Sequence, residues 1–334
     1  MLVKKSCRIG LLGAARITPP ALIVPAEANS AATVVAIAAR EVEKASEFAT
    51  EHKIPRVLNS YQALIDDPEI DLIYNALPAS LHLPWTLKAL ESGKHVLCEK
   101  PIALNAQQAR QMIDVATSTE CLMIEAFHYR YHPLIEHVLT LLERDAIGEI
   151  RQIEGIFNVS IENTADIRYQ KPLGGGALMD LGCYPVHWLR TCVGEEPAIT
   201  GASAVVTKQD VDISLQGEFT FPGGAKGRIE CSMAPGSKMK NALSIQGTKG
   251  SIKVINPLAP HFGYRLSVKS DVHHGGEEQD IKVEGQSTYQ HQLDAVIGLL
   301  QGKGRQITGG EDCVSNMIAI DALYSAAGVS PFNC

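Results

Sequence analysis

Three places in this sequence bring together residue types that can do chemistry. In the first, the short apolar run His95–Cys98 leads into Glu99, Lys100 and Pro101. That puts a lysine at the carboxyl end of a parallel strand, where open α/β sheets bind ligands. Proline biases the residue before it towards an extended backbone, so the Lys100 amine can project away from the sheet. The competing assignment is a surface lysine in a turn. In the second place, Asp180, Tyr184 and His187 recur at helical intervals after the glycines 174–176, so a helix starting there would carry all three along one face. Carboxylates, phenols and imidazoles are groups that transfer protons in active sites. In the third, residues 10–17 (Gly-Leu-Leu-Gly-Ala-Ala-Arg-Ile) stand between an apolar run and a helical pattern. A helix N-terminus in that position can cradle a pyrophosphate with its backbone N–H groups.

The third place is a degenerate dinucleotide fingerprint. With Gly13 as its first glycine, Ala15 occupies the position of closest approach and Thr18 stands where the third glycine would be, so one methyl group must be tolerated near the phosphates. A plain structural turn competes with this reading. The end of the second apolar run discriminates further. An acidic residue there would accept from a ribose 2'-hydroxyl, whereas Ala38-Ala39-Arg40 offers a guanidinium that could meet a 2'-phosphate. We read NADP over NAD, against the alternative that Arg40 is a solvated loop residue and Glu41 the ribose acceptor.

The elements that must position these residues fall into two grammars. Over residues 1–127, short apolar runs (Cys7–Leu12, 33–38, 56–58, 71–75, His95–Cys98, 121–125) alternate with longer helical patterns, which predicts successive βαβ units and a parallel sheet. Helix ends are legible as Thr18 before Pro19, Pro84 near one start with Gly93 past its end, and Asn105 capping residues 106–116. From residue 128 the pattern changes. Residues 211–221 alternate apolar Val211, Ile213, Leu215, Phe219 and Phe221 with polar Asp212, Ser214, Gln216, Glu218 and Thr220, as a half-buried strand does. A turn at 222–224, a strand over 228–233, a turn at 246–250 and a strand over 251–255 predict a largely antiparallel sheet. Helical patterns over 289–300 and 311–327 follow, and their apolar residues suit packing on a core. The expected organisation is a Rossmann domain over 1–127 and an α+β substrate-binding and oligomerisation domain over 128–334.

Taken together, Glu99-Lys100-Pro101 and the glycines 174–176 followed by Asp180-Leu-Gly182 resemble the glucose-fructose oxidoreductase / inositol dehydrogenase / MocA family over essentially the whole chain. Ala38-Ala39-Arg40, Cys98-Glu-Lys-Pro and Asp180-x-Gly-x-Tyr184 are similar to a branch of dimeric dihydrodiol dehydrogenases and NADP-dependent xylose or glucose dehydrogenases. The resemblance implies that Lys100 contacts the nicotinamide ribose and supports catalysis, and that Asp180 and Tyr184 face the substrate. It implies cofactor contacts at Gly13, Ala15, Arg16, Ile17 and Arg40, at Leu77, Pro78 and His82 after the fourth strand, and at Glu99. Many members carry His-x-x-Asp where this chain has Tyr184-x-x-His187, which puts a histidine base in doubt here.

A phenol with a pKa near ~10 is a weak base at neutral pH unless a cation stabilises its phenolate. Lys100 is the expected cation, with Tyr184 taking the carbinol proton as hydride leaves; the alternative is a tyrosine that packs at the pocket edge. At the junction of the two grammars, His128 and Arg130 are expected to reach the cleft. The branch resemblance adds Arg168 as a group orienting substrate hydroxyls, against an exposed loop arginine. The implied activity is an NADP-dependent hydride transfer to or from a carbinol of a sugar or polyol. The alternatives are a trans-dihydrodiol dehydrogenase and a non-catalytic NADP-binding regulator of the same fold.

Bulk properties exclude several other classes. The net charge of −7 comes without like-charge blocks and with scattered Lys and Arg, so no nucleic-acid footprint is expected. Eight cysteines, none in a Cys-x-x-Cys pair, predict reduced thiols in a reducing, cytoplasmic setting. Lys4 and Lys5 precede an apolar stretch broken by Gly10, Gly13 and Arg16, which reads as a strand rather than a secretory signal. No run has the length of a membrane span. His273-His274 has no spaced partners, so no metal site is expected. The exposed face of the second-half sheet and the family resemblance together imply a homodimer or homotetramer.

Overall fold

In a computed structural model of the chain, residues 6–271, 276–330 and 332 are described; His273 and His274 lie outside them. The chain forms two compact units, one of residues 1–128 and 289–314, the other of residues 129–288 and 315–334.

The first unit is built on six parallel strands, β1 (Cys7–Leu12), β2 (Ala32–Ala38), β3 (Arg56–Val57), β4 (Leu72–Asn75), β5 (His95–Cys98) and β6 (Met123–Glu125), in the order β3-β2-β1-β4-β5-β6. This is the doubly wound Rossmann order, whose reversal of strand order between β1 and β4 makes the ligand crevice at the carboxyl ends. Helices α1 (Val24–Ala28), α2 (Val42–Glu51), α3 (Tyr61–Ile65), α4 (His82–Glu91) and α5 (Ala106–Ser118) connect the strands. Asn105 caps α5 by accepting from the Gln108 N–H at 2.9 Å. Thr18 does stand at a helix start, but its side chain caps nothing there. The central strands β1, β4 and β5 are largely buried on both faces, as their near-continuous apolar runs require.

In the second unit, α6 (Pro133–Glu143) precedes β7 (Ile150–Asn158), and α7 (Cys183–Val193) leads into β8 (Ala198–Val206), β9 (Asp212–Thr220), β10 (Lys226–Ser232), β11 (Lys240–Gly247), β12 (Gly250–Ile255), β13 (Arg265–Ser270) and β14 (Glu278–Ile281). The eight strands run β14-β13-β12-β11-β7-β10-β9-β8, antiparallel except for the β7/β10 pair. Helix α7 lies against β7 and β10, where Gly155 and Gly227 make room for it. A Cβ on Gly155 would stand 2.9 Å from Pro185 Cβ, and one on Gly227 3.0 Å from Leu189 Cδ2.

Two features differ from the sequence reading. Of the last two helices, α8 (Thr288–Leu300) and α9 (Glu311–Ala326), residues 289–314 belong to the first unit. Leu293, Val296 and Ile297 share one core cluster with Ile9, Leu11, Leu72 and Leu97. Helical spacing shows that a face is buried; it does not show in which core. The second difference is Asp212, which alternation assigns to the solvated face of its strand, yet it is 1% exposed. It stands at the first residue of β9, where side-chain direction is set by the incoming loop as much as by the pleat.

Candidate functional site

At the carboxyl end of β1 the chain turns through Gly13, whose φ of +91° favours glycine. Its N–H donates to the Ala38 carbonyl at 2.8 Å, and a Cβ there would stand 3.0 Å from Leu77 Cδ2. The turns after β1 and β4 therefore lie side by side, close enough that a Cβ between them would press on the Leu77 side chain. Ala15 and Ile17 are half-buried and Arg16 is exposed. The first helical turn, Pro19–Ile23, is wound wide, as π-type turns at functional sites often are. Thr18, fully buried, has a hydroxyl oxygen with no hydrogen-bond partner among the described residues. A cradle a Cβ would fill, next to an orphaned buried oxygen, fits a dinucleotide phosphate site.

Arg40, just past β2, is 84% exposed at its side chain and pairs with Glu41 at 3.2 Å, while Glu41 also pairs with Lys44 at 2.9 Å. The hydrogen bond from Lys44, and then that from Arg40, hold the Glu41 carboxyl below the usual range. Both candidates for the ribose are thus at the surface, and the acidic one is already engaged by two cations.

The turns after β4 and β5 are locked to each other by Asn75, which the sequence reading left unassigned, and by His82, which it placed at the cofactor. Buried Asn75 donates to Thr86 Oγ1 at 3.1 Å and accepts from the Leu77 N–H at 3.3 Å, and its carbonyl accepts from the Glu99 N–H at 2.9 Å. His82 sets its Nε2 2.7 Å from the Leu77 carbonyl and its Nδ1 2.9 Å from the Pro101 carbonyl. Burial lowers the pKa of this ring despite both carbonyls. A neutral imidazole donates to only one of them. His82 thus ties the turn of Leu77 and Pro78 to the turn that carries Glu99 and Lys100.

Tyr74, fully buried, donates its hydroxyl to Glu99 Oε1 at 2.6 Å. Glu125 Oε1 accepts from the Ile102 N–H at 2.9 Å, fixing the chain two residues beyond Lys100. The Lys100–Pro101 peptide is cis. His128 is 4% exposed and its ring lies 4.1 Å from that of Tyr289. Asn75 and Glu125 were legible only as strand ends, and no spacing marks them.

In the second unit, the glycines preceding Asp180 each have a steric reason. Gly174 takes a left-handed φ of +84°, a Cβ on Gly175 would stand 2.5 Å from the Arg168 carbonyl oxygen, and one on Gly176 2.1 Å from Asp212 Oδ1. The chain then enters a helix whose first turn, Leu178–Gly182, is again wide before α7 continues it. Asp180 and Arg168 come together: Arg168 Nε donates to Asp180 Oδ2 at 2.6 Å and Nη1 to Asp166 Oδ1 at 3.1 Å. The charge of Asp180, ahead of its hydrogen bond and of Asp166, raises the Arg168 pKa.

Tyr184 is 4% exposed, with the rings of Phe157, Tyr129 and Trp188 at 5.9, 6.3 and 6.5 Å. His187, expected on the same face, is buried and takes a 2.5 Å hydrogen bond with Tyr129 Oη. The imidazole is committed to the core against Tyr129, whose ring also borders Tyr184. Arg130 is half-buried in this unit. Among the described residues no cluster of His, Cys, Asp or Glu could hold a metal.

Comparison with known proteins places this architecture. Residues 7–127 match the oxidoreductase family with an NAD-binding Rossmann fold, and residues 135–253 match the GFO/IDH/MocA C-terminal domain. The chain belongs to the GFO/IDH/MocA oxidoreductase family. It is 30% identical over 95% of its length to D-xylose 1-dehydrogenase (NADP(+)) 2 of Haloferax volcanii, covering 96% of that protein. It is 37% identical over 66% of its length to the trans-1,2-dihydrobenzene-1,2-diol dehydrogenase of Xenopus tropicalis, and the match likewise spans 66% of that relative. Among solved structures, a 3-ketoreductase of Actinomadura kijaniata in complex with NADP and TDP-benzene superposes with a TM-score of 0.87 at 26% identity, over 96% of this chain and 98% of that one. An aldose-aldose oxidoreductase of Caulobacter crescentus, 23% identical with a TM-score of 0.88 over 97% and 98% of the two chains, shares the fold.

Proposed function

We propose that the protein is an NADP-dependent dehydrogenase moving a hydride between nicotinamide and a carbinol of a sugar or polyol. The observation that carries this reading is end-to-end similarity to an NADP-dependent xylose dehydrogenase, in a chain that keeps Lys100 directly after β5 and Asp180 and Tyr184 on one helix. Gly13, Ala15, Arg16 and Ile17 would hold the pyrophosphate, Arg40 the 2'-phosphate, and Leu77, Pro78, His82, Glu99 and Lys100 the nicotinamide half. When bound, the nicotinamide supplies the hydride acceptor or donor. The chain supplies the rest. Arg168 and Asp180, as a fork and a carboxylate, orient substrate hydroxyls, with His128 and Arg130 as further contacts. Tyr184 Oη takes the carbinol proton, and the Lys100 ammonium holds the resulting phenolate. Each unit by which the cation lowers the phenol pKa is worth about 1.4 kcal/mol.

A panel of D-xylose, D-glucose, myo-inositol and trans-1,2-dihydrobenzene-1,2-diol, assayed with NADP and NAD in parallel, tests the reading. Turnover by the wild type, with Tyr184→Phe and Lys100→Met each reduced by at least roughly a hundredfold in kcat, supports it. Near-wild-type turnover by Tyr184→Phe removes the proton-transfer role. Tight NADPH binding without turnover on any substrate moves the assignment to a cofactor-binding regulator.

The 37% identity to a dihydrodiol dehydrogenase favours a second substrate class, which the same panel separates. The seven free cysteines among the described residues support a reducing, cytoplasmic location. Self-association through the eight-stranded sheet is supported by exposed Val205, Met239 and Ile255 on or beside its strands.

A further inference from the structure

Strand β9 and the last helix meet the helix that carries Asp180 and Tyr184 at a single buried carboxyl group. Asp212 Oδ2 accepts from the Leu178 N–H at 2.7 Å, and Asp212 Oδ1 accepts from Tyr324 Oη at 2.9 Å. Both partners are distant in sequence, and Asp212 and Tyr324 are 1% and 4% exposed. The Leu178 N–H belongs to the first turn of a helix, where backbone donors lack partners within the helix. Here the cap comes from another strand rather than from the residue before the helix. Gly176 lets it approach, because any Cβ there would stand 2.1 Å from Asp212 Oδ1 and 2.9 Å from Tyr324 Oη.

Asp180 follows Leu178 by two residues, and its own N–H donates to the Gly176 carbonyl at 3.0 Å. Glycine, carboxyl, phenol and helix start thus form one closed knot at the base of the segment that presents Asp180 and Tyr184. A carboxyl group that only filled space in a core would cost burial energy without return, whereas one accepting two hydrogen bonds from separate elements fixes their relative placement.

We propose that Asp212 is a positioning residue for the reaction, holding the helix start so that Asp180 and Tyr184 keep their working geometry. This rests on the assignment of those two residues to the substrate side. Tyr324 acts with Asp212 as the brace from α9.

The test uses the full chain. In Asp212→Ala, amide exchange over residues 177–184 should speed up by roughly tenfold or more, as leaving buried donors without their acceptor implies, with residues 7–98 unchanged and the Kd for NADPH within about twofold of wild type. On the fastest substrate of the panel, kcat/KM should fall by roughly tenfold or more, mainly through kcat. Asp212→Asn, which keeps the shape and one acceptor, should recover most of both. Unchanged exchange over 177–184 would overturn the anchor. Faster exchange with wild-type kcat/KM would overturn the positioning role. If Asp212→Ala does not fold, Tyr324→Phe removes one of the two donors and is held to the same pair of measurements. A wild type inactive on the whole panel sinks the substrate assignment alone, and the exchange measurement still decides the anchor.

Discussion

Arg40 shows how little a side chain must give up to serve a ligand. Its pairing with Glu41 lies at the surface, where solvent screens such ion pairs and they add little, so the guanidinium can leave it at small cost. A 2'-phosphate would offer charge-assisted, two-pronged hydrogen bonding in exchange. Arg40→Ser should therefore raise the KM for NADP by roughly tenfold, the scale of one lost charged hydrogen bond, and leave the KM for NAD almost unchanged. Equal effects on both cofactors in steady-state assays would return Arg40 to a solvated loop residue. The position of Arg40 was legible because it is local: a residue directly after a strand of a parallel sheet must stand at the ligand edge. Asp212 was not legible. Alternation assigns it to water, and its actual partners, Leu178 and Tyr324, lie far away in sequence, where no period or motif reaches.

The two helices expected to carry chemistry share a device, a wide first turn following a glycine with φ above +90° (Gly13 and Gly176). Their glycines, like Lys100 past the end of β5, were readable because turns and strand ends are written in neighbouring residues. The wide turns were not, and neither was the burial of His187 against Tyr129, a partner far away in sequence. The anchor of the second helix also has a pH signature. Burial pushes the Asp212 carboxyl from 3.8 up to about 7, although Leu178, Tyr324 and the charge of Lys171 pull it down; the Cys231 thiol also faces it. Between those two values the native state holds a proton that the unfolded chain has released. The stability tied to this group is therefore full below about pH 4 and is lost as pH rises through about 7. Asp212→Asn lacks that loss. Its melting temperature relative to wild type should climb between pH 4.5 and 7 and level off above, in paired thermal scans. A difference independent of pH would place the carboxyl back in the ordinary range.

At the scale of the molecule, the open face of the eight-stranded sheet is charged and mixed in sign. Arg228 lies 3.6 Å from Glu154 and 3.9 Å from Glu230, above a shallow groove of about 440 Å³ that Gln152, Lys226 and Lys253 also line. Such a surface can meet a second copy of itself about a twofold axis. Light scattering across working concentrations should report a dimer or tetramer, and Arg228→Glu, which leaves three acidic groups together, should shift it towards monomer. A monomeric wild type would remove the proposal. The fold class and both halves of the chain could be read from periodicity, but the destination of α8 could not, since a buried face is compatible with either core. That destination bears on how the protein is made. Leu293, Val296 and Ile297 complete the core begun by Ile9 and Leu11, so a ribosome that has translated the whole nucleotide-binding stretch has still not supplied everything its core needs. The unit built first is finished almost last, and until residue 300 or so has emerged, part of its apolar surface must wait uncovered or be shielded by a chaperone.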